Sequence, residues 1–161
     1  MTPEAVRAAA VLAYQQGLCV IPPMEDGSKR PLSEWKRYQS ARPSSGQMKD
    51  WYGERSGIGL ITGAVSGNLE CVDFDDLETY EAFVALVTAA GLDALMKRIE
   101  DGYSERTPKG VHWLWFCEEI EGNQKLARRP TLPTEKKHDN DNVKALIETR
   151  GLRAHQGRDQ H

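Results

Sequence analysis

The chain has 161 residues, 39% of them hydrophobic, which is enough for one globular domain with a core and short for two. Its formal net charge of −3 excludes a protein that coats nucleic acid by electrostatics alone. No apolar run approaches membrane-spanning length, and Met1-Thr2-Pro3-Glu4 lacks the basic-then-apolar pattern of a signal peptide, so a cytoplasmic location is expected, with no membrane partner.

Thr2-Pro3-Glu4 reads as a helix start, with a cap, a proline in the first turn and an acid near the positive end of the dipole. The helix is expected to reach Gln16 and stop at Gly17. Leu18-Cys19-Val20-Ile21 comes next as a short buried strand closed by Pro22-Pro23. Ser44 and Gln47 form a capping-box pattern that predicts a short helix through Trp51-Tyr52. Ile58-Gly59-Leu60-Ile61-Thr62 is the next strand. The short loop from Gly63 to Asn68 predicts that it pairs, antiparallel, with the strand after it.

That next run, Leu69-Glu70-Cys71-Val72-Asp73-Phe74-Asp75-Asp76, ends in a cluster of carboxylates. On a pleated strand Asp73 and Asp75 share one face while Val72 and Phe74 share the other. Neighbouring like charges at the end of a buried strand are costly unless a cation neutralises them, and oxygen-only ligation suits Mg²⁺ or Mn²⁺. The alternative is local: Asp75 or Asp76 caps a helix beginning at Leu77, with Glu78 in its first turn.

Tyr80, Val84 and Val87 then fall at helical spacing as a core stripe, and Gly91 ends or breaks that helix. Val111 to Phe116 is rich in β-branched and aromatic residues and reads as a strand. Residues 127–142 read as a long loop, and residues 144–149 as a last strand. Cys19, Cys71 and Cys117 are widely spaced and odd in number, which suggests core thiols and no disulfide or zinc framework. Trp35, Trp113 and Trp115 read as core. Strands joined by hairpins and mixed with helices favour an α+β fold over a parallel doubly wound sheet.

Charge is uneven. Residues 1–96 carry 8 Lys/Arg against 13 Asp/Glu, and residues 97–161 carry 13 against 11. A carboxylate site preceding a more basic half suits a metal-assisted enzyme with an anionic substrate. Arg106-Thr107-Pro108-Lys109-Gly110-Val111-His112 joins a glycine turn, two cations and a histidine at the start of a strand, an arrangement fit to bind a triphosphate. No Walker phosphate loop is present. Taken singly, a histidine placed like His112 is more often a core histidine, lysines placed like Lys29 and Lys109 are more often solvated, and Glu148 is an ordinary strand-end acid.

Four segments in order carry a resemblance: Gly57-Ile58-Gly59-Leu60-Ile61-Thr62-Gly63; Glu70-Cys71-Val72-Asp73-Phe74-Asp75; Ser104 to His112; and Ile147-Glu148-Thr149-Arg150-Gly151. Together with Gly17 to Pro22, Lys29, Pro31, Trp35, Tyr38-Gln39 and Pro43-Ser44, they make the chain resemble the bifunctional DNA primase/polymerase (prim-pol) N-terminal domain of the archaeo-eukaryotic primase superfamily. Any one motif is weak; four in sequence are specific.

The resemblance implies a mixed, mainly antiparallel sheet of RNA-recognition-like type, preceded by a small N-terminal α/β unit, with residues 1–151 as the catalytic domain. It implies metal-dependent nucleotidyl transfer, in phage, prophage or plasmid replication, on a DNA template and primer with nucleoside triphosphates, and a helicase fused or separately encoded. Carried over by residue, Asp73, Asp75 and Glu148 hold Mg²⁺ or Mn²⁺, and His112 meets the incoming triphosphate. Arg106, Thr107 and Lys109 contact phosphates, and Arg150 pairs with phosphate or braces Glu148.

The pattern departs after Gly151, where family members continue with a Gly-Gly-Tyr strand and this chain has the polar, unpatterned residues 152–161. A domain truncated at its C-terminus is the expectation, and with it an alternative function: a weak or inactive fragment that binds nucleotide or single-stranded DNA. A metal-dependent nuclease using the same acids ranks below both, because it leaves the segment from Arg106 to His112 without a purpose.

Overall fold

The computed structural model describes residues 2–28, 30–32 and 34–151; Lys29 of the opening motif and the expected tail, residues 152–161, lie outside the described residues. These form four α-helices, seven strands and three short 3₁₀ turns, an α+β composition with antiparallel pairing. The chain divides into two compact units, Met1–Leu69 with Glu118–Ile120, and Glu70–Cys117 with Glu121–Gly151.

In the first unit, α1 (Pro3–Gln15) starts where Thr2 Oγ1 accepts a hydrogen bond from the Ala5 amide, and Gly17 leaves it at φ 92°. Val6 and Ala10, one turn apart, are buried with Val20, Met48 and Tyr52. The short helix α2 (Ser45–Trp51) carries the expected capping box, with Ser44 and Gln47 satisfying each other's backbone amides. Strand β1 (Cys19–Ile21) is wholly buried and pairs antiparallel with β2 (Gly59–Ile61).

The expected pairing of residues 58–62 with the carboxylate strand is therefore corrected: β2 takes β1 as its partner. Among the described residues only an isolated bridge, Gly63 to Leu69, joins it to the start of the carboxylate strand. The cause is the connection, in which Ala64–Ser66 forms a 3₁₀ turn and Gly67 and Asn68 both adopt left-handed backbone (φ 67° and 62°). The Ser66 hydroxyl accepts from the Cys19 amide and donates to the Ile61 carbonyl, tying the turn to the β1–β2 pair.

The second unit is a five-stranded sheet. It contains β3 (Leu69–Phe74), β4 (Tyr103–Arg106), β5 (Val111–Phe116), β6 (Lys125–Pro130) and β7 (Val143–Thr149) in the order β4-β5-β3-β7-β6. Between β3 and β4 run α3 (Leu77–Ala89) and α4 (Asp93–Glu100). Asp76 caps α3, its Oδ1 accepting from the Thr79 amide at 2.7 Å. The core joins Val72 and Phe74 of β3, Val111 and Trp113 of β5, and Ile147 of β7 to Tyr80, Phe83, Met96 and Ile99. Phe74 sits 5.1–5.3 Å, ring centre to ring centre, from Trp113, Tyr80 and Phe83. On α3 the half-buried Tyr80 and Phe83 pack against this cluster, and Val84 and Val87 are half-buried as well.

Other expectations change here. Residues 127–142 are not a loop throughout, because β6 and a 3₁₀ turn at Pro133–Glu135 occupy much of them. As an exposed edge strand β6 has no apolar alternation to betray it. For the same reason β4, exposed at all four positions, is invisible in the sequence pattern; sequence reasoning also misses α4 beyond Gly91, although Leu92, Leu95, Met96 and Ile99 stand at helical spacing. Trp113 is buried, but Trp35 and Trp115 lie half-buried at the edges of their clusters. Cys19 and Cys71 are buried free thiols and Cys117 is half-buried; burial pushes the Cys71 thiol up to about 12 and leaves it unreactive near neutrality. Among the described residues no helix is long and apolar enough to cross a membrane.

Candidate functional site

The five-stranded sheet packs one face on aromatic core and turns charge to the other. Period-two alternation sends Val72 and Phe74 inward and leaves Asp73 and Asp75 opposite them. Register then assembles the rest. Asp73 lies directly across from Glu148 in the β3–β7 pair, and Glu105 directly across from His112 in the β4–β5 pair. With β5 next to β3 in the sheet, a row of four titratable groups spans four strands.

The contacts within that row are close. His112 Nε2 is 3.1 Å from Asp73 Oδ1, and its Nδ1 is 3.7 Å from Glu105 Oε2. Arg150 Nη2 sits 2.7 Å from Asp73 Oδ2 and 2.6 Å from Glu148 Oε1, so two carboxylates on neighbouring strands converge on one cationic position. The Arg150 amide donates to the Cys71 carbonyl, continuing the β3–β7 ladder and fixing where that guanidinium begins. Asp75, whose amide donates to the Leu146 carbonyl, instead meets Lys144 Nζ at 2.8 Å. Asp76 is committed to capping α3, which settles the local alternative in its favour and leaves Asp73 and Asp75 without a capping role.

Electrostatics reflect these distances. Burial works to raise the Asp73 pKa, but the hydrogen bond from His112 and the Arg150 charge outweigh it, and the carboxyl lies below its ordinary value. The hydrogen bond to Asp73 raises the His112 pKa against the opposing effect of burial, with the Asp73 and Glu105 charges adding to the rise. The pair is thus a carboxylate–imidazolium pair over a wider pH range than free side chains would allow.

The hairpin between β4 and β5 places the phosphate-binding candidates. Thr107 Oγ1 accepts from the Gly110 amide at 2.9 Å and the Lys109 amide at 3.3 Å, bracing a four-residue turn that leaves Arg106 and Lys109 exposed. Gly110 is required there: a Cβ would stand 1.8 Å from the Phe74 carbonyl oxygen and 3.0 Å from the Asp76 amide nitrogen. The glycine therefore lets the turn reach the end of β3, where the carboxylates are.

Asp73, His112, Glu148 and Arg150 are brought together, Asp75 stands at the neighbouring position paired with Lys144, and Arg106, Thr107 and Lys109 lie at the hairpin end. Sequence reasoning misses Glu105, Lys144, Glu135 and Arg129. Lys144 shares the strand face of Glu148 by even spacing, a signal present in the sequence; Glu135 and Arg129 sit in the stretch that reads as a loop. Carboxylate oxygens on β3 and β7 are the hard donors that Mg²⁺ or Mn²⁺ takes, and their convergence on Arg150 Nη2 shows room for one positive centre between Asp73 and Glu148. As they stand, among the described residues no three His, Cys, Asp or Glu side chains converge on one metal position. The first unit holds a cavity of about 210 Å³, lined by residues including Trp35, Arg37, Tyr38 and Trp51, none of them in the acidic row.

Residues 10–157 match the family model for the bifunctional DNA primase/polymerase, N-terminal. No curated protein matches the chain.

Proposed function

We propose, from the premise that the chain belongs to the bifunctional DNA primase/polymerase N-terminal family, that it is a template-directed primase/polymerase domain acting in phage, prophage or plasmid replication. Membership carries the coarser statement, a nucleotidyltransferase-type enzyme with DNA and nucleotide substrates. The finer reading assigns residues 1–151 to the catalytic domain and its charged sheet face to the reaction. Supporting an RNA-recognition-like sheet is the strand order: β3 at the centre, then helices, then the β4–β5 hairpin returning beside β3, with β7 on its other side.

The observation that carries the reading is the register of Asp73 on Glu148, with His112 closing on Asp73 from β5. Asp73, Asp75 and Glu148 would hold Mg²⁺ or Mn²⁺, with Arg150 and Lys144 giving up the carboxylates they occupy. When bound, such ions neutralise charge on a transferring phosphoryl group and lower the pKa of an attacking hydroxyl. His112, at the start of β5 beside Asp73, would bind the incoming triphosphate as a hydrogen-bond donor. The exposed Arg106 and Lys109 and the Thr107 turn would contact the same phosphates, and Arg150 would pair with phosphate once released from Glu148. A separately encoded or fused helicase would supply opened template.

One observation favours the second reading, a domain that binds nucleotide or single-stranded DNA without extending a primer: Asp73, Asp75 and Glu148 are all already satisfied by Arg150 or Lys144. Primer extension with Mg²⁺ or Mn²⁺ separates the two. The parent chain is expected to incorporate nucleotides, and Asp73→Ala with Asp75→Ala to abolish incorporation in a variant that circular dichroism shows to be still folded. Incorporation retained by the double variant overturns the assignment. Nucleotide binding by the parent without any extension selects the second reading.

A further inference from the structure

Beside Asp75 lies an ion chain that the acidic row does not explain. Lys144 Nζ is 2.8 Å from Asp75 Oδ2 and 3.2 Å from Glu135 Oε1, so one ammonium is shared between two carboxylates. Glu135 is itself locked. Arg129 donates to it through both terminal nitrogens at 2.7 Å, and the Leu132 amide donates to its Oε2 at 3.1 Å. Arg129 and Lys144 face each other across the β6–β7 ladder, and Glu135, in the 3₁₀ turn after β6, meets both.

The asymmetry between the two acids is informative. Glu135 is an acceptor held by three donors, its pKa drawn down to about 2 chiefly by the Arg129 hydrogen bonds. Asp75 lies just past the end of β3, is nearly half exposed, and has Lys144 as its side-chain ion-pair partner. A lysine that served only to neutralise Asp75 would need no second, clamped carboxylate within reach. A lysine that must leave Asp75 would need one, because an ammonium displaced into a sheet face without a partner loses its compensation. The long, flexible stem of lysine allows that small movement.

We propose that Lys144 is an exchangeable counter-ion for Asp75: its ammonium occupies the carboxylate until a divalent cation arrives, then withdraws onto Glu135, which Arg129 holds ready to receive it. This rests on the reading that Asp75 is a cation ligand. Lys144 and Glu135 are positioning residues in this scheme, and neither contacts the reacting groups.

The test is direct Mn²⁺ titration of the nucleotide-free protein, monitored by electron paramagnetic resonance or calorimetry, with thermal unfolding of each variant in EDTA as the check on folding. Lys144→Met removes the competing cation and is expected to tighten Mn²⁺ binding by about fivefold, the scale of a partly exposed ion pair. Glu135→Gln removes the receiving site, strands the ammonium on Asp75, and is expected to weaken binding by a similar factor. An ion chain that only fastens β6 to β7 predicts no gain for Lys144→Met and a change of the same sign for both variants; that result overturns the proposal. Should Lys144→Met not fold, the Glu135→Gln result decides alone, since unchanged or tighter binding there is incompatible with the exchange. Asp75→Asn separates this proposal from its premise. If Asp75→Asn leaves Mn²⁺ affinity unchanged, Asp75 is no ligand and the site reading fails. If it weakens binding while Lys144→Met gives no gain, the counter-ion exchange alone fails.

Discussion

The two sheets of this chain use strands in opposite ways. In the pair β1–β2 the three residues of β1 are all buried, and they serve the apolar clusters around Val20, Cys19 and Ile21. In the five-stranded sheet β3 buries Val72 and Phe74 but sets Asp73 and Asp75 on the face opposite that core. Where both faces are packed, a polar side chain has no place to go, and the strand is scaffold. β3 is buried through Val72 and only toward its end does one face carry half-buried charge, so the packed face sets backbone register to within the tolerance of a close-packed core and the charged groups inherit that precision. Core and chemistry in the second unit thus alternate along Val72, Asp73, Phe74 and Asp75.

The sharpest way to break that comparison is to cut the packed face. Phe74→Ala removes a ring in contact with Trp113, Tyr80 and Phe83 and is expected to cost about 3–5 kcal/mol, read by denaturant unfolding. Nucleotide binding should fall with it, since the register of Asp73 depends on the strand it shares. Binding that survives a loss of this size would show that the charged face is held by something other than the core behind it.

A smaller effect isolates the charged face by pH. His112 has a folded pKa above its ordinary 6.5, so its contribution is full below 6.5 and lost as pH rises through the raised value. Asp73 has a folded pKa below its ordinary 3.8, so its contribution is present above 3.8 and lost as pH falls through the depressed value. The pair therefore stabilises the metal-free protein fully between those two ordinary values. Asp73→Asn should lower the His112 pKa, seen in its imidazole NMR titration, and the stability gap between parent and variant should be wider at about pH 5 than at about pH 9. A gap that does not change with pH would mean that His112 and Asp73 do not share a proton-linked bond.

The smallest effect lies in the first unit. Ser44→Ala removes the side-chain acceptor for the Gln47 amide and half of the α2 capping box, at an expected cost of about 1 kcal/mol in thermal or urea unfolding. Nucleotide and Mn²⁺ affinities should be unchanged. A loss of either would show that this unit does more than scaffold work in ligand binding.

Much of this is legible locally. Thr2, Ser44 and Asp76 announce three helix starts, because a cap is satisfied by an amide three residues away and needs nothing from the rest of the chain. The alternation of Val72, Asp73, Phe74 and Asp75 announces two faces, because side-chain period is a property of the backbone. What no local pattern holds is partnership. The strand at Gly59–Ile61 pairs with Cys19–Ile21 and not with its neighbour in sequence, since two left-handed residues and the Ser66 hydroxyl redirect the chain between them. Strands β4 and β6 carry no apolar alternation because an edge buries little, so their existence is decided by the strands they pair with.

By itself, then, the sequence determined the helix caps, the two-faced character of the carboxylate strand and, through four ordered motifs, the family. Tertiary structure alone decided that Asp73 stands across from Glu148, that His112 closes on Asp73, and that Arg129, Glu135 and Lys144 line up beside Asp75. The physical reason is distance along the chain: caps and alternation are settled within a few residues, whereas register between strands some 75 residues apart is set only when a shared core forces them together.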